Sequence, residues 1–210
     1  MGPYTISLVR LRIPSKARSA YNDAVLDYRK EKLAAALKHA EKALNIYPTF
    51  PDALLLRGVI RSKGPHPEEG EEDMRASLNL DPTFSLSYVV LANYYNASER
   101  FGDALKIMQQ GIVCCSMSWK GYYELARAKL GMREYDAVLA TIEQSEIADP
   151  TPQPLLHLIK GHALAGLKKY HAAIAELSSY LKGDPHGEGA EQTRLLLEQI
   201  RKMPSSEAGE

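Results

Sequence analysis

The chain has 210 residues, 45% of them hydrophobic, with Lys+Arg 26 balanced by Asp+Glu 26. That is enough apolar surface for a continuous core, and the absence of net charge removes the electrostatic drive for sequence-independent nucleic-acid binding, so no nucleic-acid partner is expected. No run approaches the ~18 consecutive apolar residues of a membrane helix, so no membrane insertion is expected either.

Taken in order, Thr5 to Ile13 (TISLVRLRI) is rich in β-branched and aliphatic residues with partial alternation, which predicts an extended strand. Residues 1–15 therefore read as a strand or linker that either packs on the helices after it or ends an upstream β domain. Arg10 and Arg12 follow the apolar run instead of preceding it, and no small-residue cleavage site is present, so no signal peptide is expected. A soluble, cytoplasmic chain is the default, and a periplasmic or extracellular one if the sequence is a fragment of a secreted protein. Pro14 ends the segment, and Ser15 can cap a helix from Lys16 to Arg29.

Glu31 to Tyr47 has strong helix composition, with Ala34, Leu37, Ala40 and Leu44 near helical spacing and Pro48 beyond the end. The same ending returns at Pro82, Ser116, Pro150 and Pro185, at intervals 82−48=34, 116−82=34, 150−116=34 and 185−150=35. A helix-turn-helix period of about 34 residues is the spacing of tetratricopeptide repeats. Finer positions agree. The central copy has Tyr88, Leu91-Ala92 and Tyr95, then Phe101, Ala104, Met108, Gly111 and Ser116; a later one has Tyr122, Leu125-Ala126, Tyr135, Ile142 and Pro150. On these residues the chain resembles the tetratricopeptide-repeat family. The resemblance implies an all-α, right-handed superhelical solenoid of five units, 16–50, 51–84, 85–118, 119–152 and 153–186. Beyond them, 187–203 reads as an amphipathic capping helix and 204–210 as a flexible tail.

Gly58, Ala92, Ala126 and Gly161 are the small residues at which the two helices of a unit should approach most closely. Glu68, Glu69, Glu71, Glu72 and Asp73 crowd the first turns of one second helix, where the dipole favours negative charge; a solvated acidic face is expected, and a dock for a basic partner is the alternative. Cys114 and Cys115, adjacent in an apolar run, read as small buried side chains. The six histidines form no cluster: His157 and His162 are five apart, not at the i,i+4 spacing of a zinc-binding helix. With no phosphate loop, nucleophile elbow or CxxC pair, no catalytic residue, metal or cofactor is expected.

In the family the first helices line a concave groove for a peptide. Carried over unit by unit, the resemblance implies a groove of Tyr21, Asn22, Leu55, Leu56, Val59, Val89, Asn93, Asn96, Tyr123, Arg127, Leu158 and His162. Of the family's clamp of Lys, Asn and Arg for a terminal carboxylate one Asn survives and the cationic partners do not, since Val89, Asn93, Glu124 and Leu158 occupy the matching places. The expected function is a non-catalytic scaffold binding a protein or peptide partner. The alternative is a structural or oligomerisation module of a larger bacterial, secreted protein, with the groove filled by its own N-terminal segment or by another copy.

Overall fold

The computed structural model describes residues 8–203, and every regular element among them is helical. The described residues divide into two compact units, one of 8–94 with 110–116 and the other of 95–109 with 117–203.

The first unit opens with a short helix, α1 (Leu8–Leu11), followed by α2 (Ser15–Arg29), α3 (Leu33–Ile46), α4 (Pro51–Arg61) and α5 (Pro67–Leu80). The helix at Leu8–Leu11 corrects the expected strand there; Thr5 to Ser7, and the tail expected at 204–210, lie outside the described residues. Local β preference loses to long-range contact in this stretch, because Arg10 is held by side chains far along the chain. Ser15 is already helical, and Pro14 takes the cap position. Helices α2 and α3 pack together, as do α4 and α5, and α3 packs on α4. Their core includes Ile13, Ala20, Leu44, Phe50 and Leu54.

The second unit contains α8 (Trp119–Gly131), α9 (Tyr135–Ala148), α10 (Pro154–Gly166), α11 (Tyr170–Gly183) and α12 (Ala190–Arg201). Pairs α8/α9 and α10/α11 pack in the same manner, and α12 packs on α11, with Leu197 and Ile200 in one cluster with Leu164 and Leu177. Between α5 and α8 run α6 (Ser85–Ala97) and α7 (Phe101–Cys114), each of which contributes residues to both units.

The turns after α2, α6, α8 and α10 follow one rule. Glu31, Glu99, Arg133 and Lys168 have φ of 58°, 57°, 62° and 61°, each just past a first helix. The next amide reaches back to the end of that helix: the N–H of Lys32 donates to Asp27 O, Arg100 to Tyr95 O, Glu134 to Lys129 O and Lys169 to Leu164 O, all at 2.8–2.9 Å. This is a Schellman cap built without glycine, and it reverses the chain within a few residues. Only the α4–α5 turn departs from the rule among the described pairs, with Gly64 and Pro65 in a longer connection.

Close crossing of the paired helices is visible atom by atom. A Cβ on Gly58 would lie 2.7 Å from Gly70 O, and one on Gly70 would lie 2.6 Å from both Gly58 O and Ser62 N. A Cβ on Gly161 would instead meet the Leu177 side chain at 2.6 Å. Two other expectations change. Asp73 is buried, not part of a solvated face, because Arg57 Nε and Nη2 donate to its two oxygens at 2.7 and 2.6 Å and Arg61 Nη1 adds a third bond at 3.3 Å. Cys114 and Cys115 are not buried: Cys114 is exposed at the last position of α7 and Cys115 follows it half-buried, their sulfurs joined as a vicinal disulfide beside the Pro82 carbonyl.

Candidate functional site

The twelve residues named from sequence fall on α2, α4, α6, α8 and α10, the first helices of the successive pairs. Two register columns account for most of them. Tyr21, Leu55, Val89, Tyr123 and Leu158 recur at 55−21=34, 89−55=34, 123−89=34 and 158−123=35. Val59, Asn93, Arg127 and His162 each stand four residues after a member of the first column, so each pair shares one helix face.

In the first unit, Tyr21 is half-buried and Asn22 exposed on α2, and Leu56 and Val59 are half-buried on α4. Leu55 is only 4% exposed and belongs to the interior. Val89 is half-buried and Asn93 exposed on α6. The Tyr21 ring packs against Phe50 at 5.1 Å, and burial raises its phenol pKa, helped by Asp52 and opposed by Arg10. A cleft of about 360 Å³ in this unit, lined by Leu37, Ile60, Arg61 and His66 among others, holds none of the twelve.

In the second unit, three groups are committed to one another. Asn96 Nδ2 donates to the Glu124 carbonyl oxygen and to Glu124 Oε2, both at 2.9 Å, and Arg127 Nη1 donates to the same Oε2 at 3.0 Å. Asn96 and Glu124 are 5% and 4% exposed, so this is a buried brace. The Arg127 guanidinium also lies 5.7 Å from the Tyr123 ring centre, and Trp119 packs on Tyr123 edge to face at 6.4 Å. Leu158 and His162 are half-buried on α10. Burial alone lowers the His162 pKa, so its imidazole stays neutral and apolar in character near neutral pH. Of these five residues, Tyr123, Leu158 and His162 offer surface; Asn96 and Arg127 hold the frame.

Sequence reading missed a second constellation in the first unit. Arg10 of α1 places its guanidinium carbon 3.9 Å from the Phe84 ring centre, donates from Nη2 to Asp52 Oδ1 at 3.1 Å, and brings Nε within 3.2 Å of Asp81 Oδ2. Asp52 stands in the first turn of α4, and Asp81 in the turn after α5. Neither signals a site in sequence, since acids are ordinary at helix starts and Asp-Pro is ordinary at helix ends. Burial raises the Asp52 pKa, Arg10 opposes this, and Asp81 adds to it.

Among the described residues no group of three or more His, Cys, Asp or Glu could hold a metal ion, and no helix is long and apolar enough to cross a membrane. The sequence matches no family model and no curated protein. Solved structures do match. TTC0263, a thermophilic TPR protein of Thermus thermophilus, aligns over 89% of this chain and 100% of its own with 17% identity and a TM-score of 0.69. The pilF protein of Pseudomonas aeruginosa aligns over 89% and 85%, with 16% identity and a TM-score of 0.74. YrrB, described as a TPR protein with an unusual peptide-binding site, aligns over 85% and 92%, with 16% identity and a TM-score of 0.61.

Proposed function

We propose that this chain, which has the tetratricopeptide-repeat fold, is a non-catalytic scaffold that holds a polypeptide segment of a partner on the face of its first helices. The observation that carries the reading is the pair of register columns. Val59, Val89 and Leu158 of the columns, with Leu56 beside them, give half-buried apolar anchors, Tyr123 an aromatic one, and Asn93 an exposed polar side chain. Within each unit, side chains that keep part of their surface on neighbouring first helices suit an extended ligand better than a compact one. The peptide-binding site reported for YrrB makes the same use of the fold a precedent.

A second reading, with the face occupied by the chain's own N-terminal segment, is favoured by one observation: Arg10 reaches Asp52, Asp81 and Phe84. The two readings meet where a partner competes with that segment.

The test is a peptide-display selection on the full chain, followed by affinity measurement on Asn93→Ala and Tyr123→Ala. Each change is expected to weaken the selected peptides by about tenfold, the effect of losing one well-packed aromatic or one polar side chain. Selected peptides that bind both variants as they bind the parent chain would reject the first-helix face.

A further inference from the structure

We infer that Asp52, Asp81 and Phe84 form a receptor for an arginine side chain, filled in cis by Arg10 and open in trans to an arginine on a partner polypeptide. The inference deepens the polypeptide-binding reading and rests on it for the nature of the partner.

The three receptor residues come from the α4 start, the turn after α5 and the approach to α6, so they are set by the repeats and not by α1. Asp81 is 4% exposed, and a carboxylate that deep requires compensation. Part of that is local: the Thr83 N–H and Thr83 Oγ1 both donate to Asp81 Oδ1, at 3.2 and 2.7 Å. Its other oxygen, Oδ2, faces Arg10 Nε. Asp52 Oδ1 supplies a second anionic point, and the Phe84 ring supplies a flat wall at stacking distance. Two separated acceptors beside an aromatic face fit a planar, forked cation; an ammonium is compact and strongly hydrated and would use one acceptor at a time.

Arg10 uses this receptor incompletely. Its Nη2 bond to Asp52 is aligned, but its Nε, although 3.2 Å from Asp81 Oδ2, is off line and makes no hydrogen bond while buried. A four-residue helix carries Arg10, and its side chain remains more than a third exposed. An arginine delivered by another chain, free to approach both carboxylates in line, recovers the bond that Arg10 forgoes. Tyr21, the first member of the apolar column, borders the same charges, so a polypeptide whose arginine entered here would lie beside the first-helix face.

The experiment uses full-length chain carrying Arg10→Ala, with Arg10→Gln as a second variant, both verified as folded by their amide spectra. N-acetyl-arginine-N-methylamide is titrated against each and followed by NMR at Phe84 and Thr83; the lysine analogue is the control. The expected result is saturable binding in the millimolar range, about tenfold weaker for the lysine analogue and for the chain that retains Arg10, and lost in Arg10→Ala/Asp81→Asn. Equal response to the arginine and lysine compounds, no saturation in either variant, or binding indifferent to Asp81→Asn overturns the receptor. Failure here leaves display peptides that depend on Asn93 and Tyr123 standing. Success here with no peptide selected keeps the arginine site and removes the polypeptide reading.

Discussion

The two units handle buried acid differently. In the second, Glu124 is answered by Asn96 and Arg127, and Glu176 by His157 at 2.6 Å and Lys160 at 3.0 Å, every partner supplied by the repeat helices themselves. In the first, Asp73 is answered within the α4/α5 pair by Arg57, but Asp52, and the one Asp81 oxygen that Thr83 does not bind, face Arg10, which lies outside the repeats. An acid satisfied inside its repeat is a brace. An acid satisfied from outside it is a place where something can be exchanged.

Breaking such braces should be strongly destabilising, and unequally so. Asp73→Ala leaves Arg57, 20% exposed, without its bidentate partner and is expected to cost about 3 kcal/mol, the lower end for a broken buried pair because part of the guanidinium still meets water. Glu124→Ala removes one of the two acceptors of the Asn96 amide, whose bond to the backbone carbonyl of residue 124 remains, and unpairs a more exposed Arg127, so it should cost about 1.5 kcal/mol. Urea denaturation of the two variants checks the order; a larger loss at Glu124 would reverse the ranking of the two units.

Helix crossings give the next contrast. Gly70→Ala drives a Cβ against backbone atoms of Gly58 and Ser62, which cannot rotate away, and about 2 kcal/mol is expected. Gly161→Ala meets chiefly the Leu177 side chain, which can shift, and about 1 kcal/mol is expected. Equal costs would mean that the α4/α5 pair yields as easily as α10/α11.

The second unit also carries a pH response. Burial lowers the His162 pKa below its ordinary 6.5, so the unfolded chain binds the proton more readily than the folded one. Stability from this group is complete above 6.5 and is lost as pH falls through the lower folded value. His162→Gln should flatten the decline of the urea midpoint on acidification, and an unchanged slope would assign that decline to other groups. The smallest effect is expected at the turns. Arg133→Gly relieves a left-handed residue at some entropic cost and should gain about 0.5 kcal/mol; a loss would show that the Schellman caps are unstrained.

Much of the fold was legible because its causes are local. The prolines at 48, 82, 150 and 185 follow the helix ends, and glycines at 58 and 161 mark close approaches, against backbone at 58 and against the Leu177 side chain at 161. The twelve candidate groove residues came from the family resemblance, which does not fix their roles: Leu55 lies in the core, and Asn96 and Arg127 are tied to Glu124, with Asn96 and Glu124 28 residues apart. The arginine receptor was the least legible part. Arg10 meets Asp52 and Asp81 across 52−10=42 and 81−10=71 positions, and the β-branched run around it argued for a strand. The cysteines misled for a related reason, since an apolar run does not reveal which side of a helix end faces water.

The most direct measurement is amide chemical-shift mapping of the full chain with a display-selected peptide. The account predicts shifts concentrated on the first helices, 15–29, 51–61, 85–97, 119–131 and 154–166. Shifts concentrated instead on the second helices, 33–46, 67–80, 101–114, 135–148 and 170–183, would contradict it.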